Sequence, residues 1–109
     1  MKKIIIGLLL LVFVSAVAQS NIQKASFKVN GVCDLCKKTI EKSLQINSVQ
    51  AAIWNPDSKV LKVKYDASLI SLDSIQKRIA AVGYDTEKYK ASDSTYTNLH
   101  KCCKYEREK

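Results

Sequence analysis

Proline and glycine are scarce in this chain, with one proline and three glycines among 109 residues. So little of either excludes a collagen-like repeat, and 47% apolar with 26% charged residues is the composition of a folded domain and not of a disordered segment. Histidine, tryptophan and methionine occur once each. No Ser-His-Asp set, phosphate-cradling glycine loop or EF-hand pattern is visible. The ten acidic residues show no paired arrangement suited to acid–base work. The chain is therefore expected not to be an enzyme, and its length fits one small domain.

Basic residues are in excess, giving a formal charge of +8. Taken alone, that balance suggests a nucleic acid, a membrane surface or an acidic partner. The N-terminus redirects the reading. Lys2 and Lys3 precede an apolar run from Ile4 to Val14, and Ala16-Val17-Ala18 follows as a small-residue cleavage site. This is the order of a secretory signal peptide, residues 1–18. The run is too short for a membrane span, so no stable membrane insertion of the mature chain is expected. Cleavage near Ala18 leaves 91 residues with a charge of +6. The expected location is periplasmic or secreted, nucleic acid is not an expected partner, and the lysines read as a solvated surface. A domain of that size buries roughly 60–65% of its unfolded surface, enough for a thin two-layer core and not for a deep substrate cavity.

Ala25, Phe27 and Val29 alternate with polar neighbours as in a half-buried strand that Gly31 ends. The segment from Cys36 to about Ile46 reads as a helix, with Ile40 and Leu44 on one face. Val49, Ala51 and Ile53 alternate next, Asn55-Pro56-Asp57-Ser58 is a turn, and Leu61, Val63 and Tyr65 alternate in turn, together a β-hairpin. Leu72, Ile75, Ile79 and Val82 make one helical stripe, with Ser71 as N-cap and Gly83 as the residue after the C-cap. A last strand is expected within Tyr84–Lys90. The order βαββαβ with right-handed crossovers predicts an α+β fold, a ferredoxin-like sandwich whose four-stranded antiparallel sheet carries two helices on one face. The domain is expected over residues 19–91, followed by a flexible tail, 92–109.

Four cysteines in an exported chain of this size suggest two structural disulfides by default. Their placement argues otherwise: Cys33 with Cys36 and Cys102 with Cys103 are tight local pairs. A Cys-x-x-Cys entering a helix puts two sulfurs on one side of a turn, where unpaired N–H groups and the helix dipole favour thiolate. Lys37 and Lys38 add positive charge nearby. Soft sulfur donors without neighbouring oxygen ligands suit Cu(I) better than Mg or Ca. The same motif also describes a dithiol oxidoreductase. Against that alternative, the sole proline, Pro56, lies in the hairpin turn and leaves no candidate for the cis-proline that thioredoxin-like proteins set against their dithiol.

The stretch Phe27-Lys28-Val29-Asn30-Gly31-Val32-Cys33-Asp34-Leu35-Cys36-Lys37-Lys38-Thr39-Ile40-Glu41, with Gly83-Tyr84 after the second helix, resembles the heavy-metal-associated domain over roughly Gln23 to Lys90. That family comprises small copper chaperones, the periplasmic mercuric-ion-binding protein and N-terminal domains of metal-exporting ATPases. The resemblance implies the same βαββαβ fold, Cys33 and Cys36 as metal ligands, and Tyr84 lining the site beside Lys37. It further implies Cu(I) as cargo, with Hg(II) or Zn(II) as alternatives. The implied partner is a metal-transporting membrane protein or another thiol metal-binding protein, and a metal-bridged homodimer is a further expectation. One departure stands out: the family's Gly-Met-x-Cys is here Gly31-Val32-Cys33, one residue shorter and without the methionine, and Leu35 is expected to supply the missing packing.

His100, Cys102 and Cys103 place one imidazole and two sulfurs within four residues. The last strand runs away from the Cys-x-x-Cys end, so a tail ligand must double back. Ala91 to Cys102 spans roughly 36 Å at about 3.3 Å per residue, beyond the ~20 Å of a typical strand, and the reach suffices. Two readings stay open: the tail folds over the Cys-x-x-Cys loop and supplies a third or fourth ligand, one of the vicinal thiols at most, or its cysteines pair elsewhere.

Overall fold

A computed structural model describes residues 20–108. The expected signal peptide, 1–18, lies outside them. Strand β1 (Ile22–Lys28) pairs antiparallel with β3 (Val60–Asp66), from Ile22 opposite Asp66 to Lys28 opposite Val60. β3 also pairs antiparallel with β2 (Val49–Trp54), giving the order β1-β3-β2. The hairpin turns as its sequence requires: the Asn55 side-chain oxygen accepts from the backbone N–H of Asp57 at 2.7 Å and of Ser58 at 3.2 Å. Lys59 closes it with φ 64°.

β3 and β1 turn the expected residues inward, burying Leu61, Val63, Tyr65 and Phe27. β2 does not follow its expected phase. A bulge between Val49 and Ala51 shifts the register, so Val49 packs on the core while Ala51 points out and Ile53 is 62% exposed. Ala52 and Trp54 take the inward places. One extra residue reverses every later side chain in a strand. On the opposite, uncovered face of the sheet lie Lys24, Lys28 and Lys62, so part of the basic excess is a solvated surface.

Helix α1 (Asp34–Lys42) presents Cys36 and Ile40 to the core, and Leu44 follows on the same side. It ends at Lys42, four residues short of the expected Ile46, with Ser43 as C-cap, where the chain folds into turns that deliver Val49 to the sheet. Helix α2 (Leu72–Ala81) buries Ile75 and Ile79, and the Ser71 hydroxyl oxygen accepts from the Ser74 N–H at 3.1 Å as an N-cap should. Gly83 sits at φ 108°, the left-handed conformation expected after that helix.

The four-stranded sheet is corrected to three strands among the described residues. The segment expected as β4 makes one isolated bridge, Val29 with Thr86. Its donors are engaged elsewhere: the Asp85 N–H goes to the Tyr105 hydroxyl at 2.8 Å, and the Thr86 N–H to the Tyr89 carbonyl at 2.7 Å. A segment whose amides are taken by a side chain and by its own turn cannot extend a ladder.

The tail expected as a connector packs against the domain. Residues 92–108 fold back on the domain through a short helix, α3 (Asp93–Thr97), capped by Ser92, and a 3₁₀ turn (Lys101–Cys103). Tyr105 is buried; its hydroxyl donates to the Gly83 carbonyl at 2.9 Å, and its ring stacks with Tyr84 and meets Tyr96 edge-on. Arg107 grips Asp85 with two nitrogens at 2.8 and 3.0 Å, reaches Asp93 at 2.9 Å and the Ala91 carbonyl at 2.6 Å, and lies over the Tyr96 ring. Leu99 covers Gly83 so closely that an added Cβ there would meet its Cδ2 at 2.7 Å.

Candidate metal centre

The platform beneath the Cys-x-x-Cys turn is Trp54, which is fully buried. Its indole N–H donates to the Val29 carbonyl at 2.9 Å, and its ring lies where a Cβ on Gly31 would fall 2.9 Å away. Gly31 is thus required by close approach, and the pair fixes the level at which the chain enters α1. Leu35 does not fill the place of the absent methionine; it is 39% exposed, and Val32 is exposed as well. The shortened approach leaves both outside, with the indole below in their stead.

Cys33 occupies the N-cap position of α1 and Cys36 its first turn. Their sulfurs are 3.6 Å apart, and the Val32 N–H points at Cys36 Sγ at 3.5 Å. The tail completes the group. Cys103 Sγ lies 3.7 Å from Cys33 Sγ, and the sulfurs of Cys33, Cys36 and Cys103 all fall within 4.8 Å of one another. Two ligands of one ion with metal–sulfur bonds of about 2.3 Å sit roughly 3.8 Å apart in tetrahedral geometry, so these separations fit a common ion. Cys36 is 0% and Cys103 1% exposed, Cys33 half-buried and Cys102 exposed. All four are free thiols.

The thiols are unequal. The hydrogen bond between Cys33 Sγ and Cys102 Sγ at 3.1 Å, helped by the Cys36 backbone N–H, pulls Cys33 from near 9 down to about 6. The same hydrogen bond pushes Cys102 up. Burial, and then the hydrogen bond with Cys36, push Cys103 up, so without an ion it holds its proton. A cation reverses that preference, since ligand thiols deprotonate on binding.

Of the other expected residues, Tyr84 is buried beneath the sulfurs, its hydroxyl held neutral by burial and by its contacts with Cys103 and Cys36. Lys37 is turned away: its ammonium donates to Glu41 and to the Trp54 carbonyl. His100 is exposed, with Nδ1 3.5 Å from Cys102 Sγ. Tyr105 and Arg107, which hold the tail down, carry no motif in the sequence, and no periodic signal marks them.

Residues 26–85 match the model of the heavy-metal-associated domain. A copper-exporting P-type ATPase of Staphylococcus epidermidis is 30% identical over 90 residues, covering 81% of this chain and 11% of the ATPase, so the chain spans about a tenth of that relative. The copper chaperone CopZ of the same organism is 31% identical over 62 residues, 55% of this chain and 91% of CopZ. Among solved structures, oxidized MerP from Ralstonia metallidurans CH34 shares the fold at a TM-score of 0.58, with 22% identity, 62% of this chain and 96% of that one covered.

Proposed function

From the premise that the chain belongs to the heavy-metal-associated domain family, we propose that it is an exported protein that holds Cu(I) on Cys33, Cys36 and Cys103 and hands it on by thiolate exchange. The observation that carries the reading is the three-sulfur group in which a tail cysteine joins the Cys-x-x-Cys pair. An all-sulfur set selects soft ions. Two of the sulfurs are enclosed, which favours retention over the rapid exchange of an open two-sulfur site: an incoming thiolate must enter from the Cys33 and Cys102 side. The chain is therefore read as a scavenger or slow donor. Its recipient is a metal-transporting membrane protein or another thiol protein, and the chemistry moves an ion without bond-making in a substrate.

Export rests on the charge, apolar run and cleavage tripeptide of residues 1–18. In an oxidising compartment the thiols must be reduced before loading. Competitive titration of the reduced chain with Cu(I), Hg(II) and Zn(II) tests the reading, with Cys33→Ser/Cys36→Ser and Cys103→Ser beside it. Cu(I) affinity should collapse in the double variant and fall in the single one; an unchanged affinity in the double variant sinks it.

Thiol–disulfide exchange is the second reading, favoured by the 3.1 Å approach of Cys33 and Cys102. Insulin reduction by the metal-free chain, with negligible Cu(I) affinity, would put it first.

A further inference from the structure

Cys33 has three sulfur neighbours, and only two of them are close enough to each other to share an ion with it. Its Sγ is 3.6 Å from Cys36, 3.7 Å from Cys103 and 3.1 Å from Cys102. The first two belong to the enclosed group, and Cys102 stands outside it on the solvent side. The local backbone makes that division unavoidable: in a 3₁₀ turn successive side chains point about 120° apart, so when Cys103 faces the core its neighbour cannot. Cys102 has a companion of its own, because His100 Nδ1 lies 3.5 Å from its sulfur. A metal–sulfur bond of about 2.3 Å and a metal–nitrogen bond of about 2.0 Å place two such donors roughly 3.5 Å apart on one tetrahedral ion.

We infer that the chain binds a second soft ion on Cys102 and His100, with the Cys33 thiolate bridging it to the ion held by Cys33, Cys36 and Cys103. The inference rests on the proposed function, since it takes the inner ion as the other half of the pair. A thiolate sulfur has lone pairs to spare for two ions, and Cys33, 3.1 Å from Cys102 and within 3.7 Å of Cys36 and Cys103, touches both donor sets. Each thiol that coordinates releases its proton to solvent, and no oxidation state changes. Four thiolates with two Cu(I) leave a net charge of −2, and Lys101 and Lys104, both exposed, flank the pair in sequence. The outer site is also a way in: an ion received on Cys102 and His100 already shares Cys33 with the enclosed sulfurs and moves inward by replacing one ligand at a time.

The test is native mass spectrometry of the reduced full chain, loaded anaerobically with Cu(I) against a competing chelator, with X-ray absorption on the same samples. Two Cu(I) per monomer with a short Cu–Cu vector are expected. Cys102→Ser should hold one ion and lose the vector, and His100→Ala should weaken the second ion roughly tenfold while sparing the first. One ion in the unaltered chain, or two in Cys102→Ser, overturns the inference and leaves the proposed function standing. Retention of Cu(I) by Cys33→Ser/Cys36→Ser overturns both.

Discussion

Cys33 and Cys102, 69 residues apart in sequence, bring their sulfurs to 3.1 Å, and the Cys102 hydrogen bond is the largest cause of the acidity of Cys33. Replacing Cys102 with Ala should therefore raise the pH midpoint of Cys33 alkylation from about 6 toward its ordinary value near 9. The measurement is iodoacetamide labelling of the metal-free chain across pH, read by peptide mass. A midpoint that stays put would mean that the helix terminus alone sets the thiolate.

The same shift has a sign for stability. Because the folded value lies below the unfolded one, the contribution of Cys33 is fully present above the unfolded value and is lost as pH falls through about 6. Urea midpoints of the reduced, metal-free chain should fall between pH 9 and pH 6, and Cys33→Ala should flatten that part of the profile.

Cys103→Ser removes the third sulfur and leaves the Cys-x-x-Cys pair in place. Cu(I) affinity should drop by at least about tenfold, ~1.4 kcal/mol, with dissociation to a chelator faster by a similar factor. Truncation after Ala91 is the poorer experiment, because it also removes Tyr105 from the core.

Arg107→Gln should release the tail. It leaves the Asp85 carboxylate, which is almost wholly buried, with its backbone donor at Ala91 and without its charged partner. Burial raises the Asp85 pKa, and Arg107, the Ala91 N–H and Tyr105 together outweigh it in the intact chain. Without Arg107 the carboxyl therefore titrates higher, and the stability loss is full at neutral pH and shrinks as pH falls through the carboxyl range. A loss of about 2–3 kcal/mol is expected by denaturant melt, together with faster alkylation of Cys103.

Gly31→Ala tests the Trp54 platform. The added methyl meets two ring carbons at 2.9 Å and the Cys36 Cβ at 3.3 Å, so the indole must shift, at a cost of about 1–3 kcal/mol in melting experiments. Because Trp54 and Cys36 both give way, Cu(I) affinity should fall as well.

Much of this was written locally. Phe27 on β1, Leu61-Val63-Tyr65 on β3, the Ser71 cap and the Gly83 turn are short-range signals, and each side chain answers to its near neighbours. Cys33 and Cys36 were legible for the same reason, since their spacing alone presents two sulfurs on a helix entry. What stayed hidden depends on partners far along the chain. The bulge that turns Ile53 outward and Trp54 inward is set by pairing with β3, and alternation within β2 points to the wrong face. The missing fourth strand traces to Tyr105, whose hydroxyl takes the Asp85 amide from 20 residues away. That Cys103, and not Cys102, enters the sulfur group follows from how the tail docks through Tyr105 and Arg107, which no local pattern announces.

The guanidinium that fastens the tail lies four positions beyond the last sulfur. Cleavage just after Glu106 would therefore discard the clasp while leaving Cys33, Cys36, Cys102 and Cys103 on one polypeptide. The sulfur group would lose its fastening with its donor set unchanged.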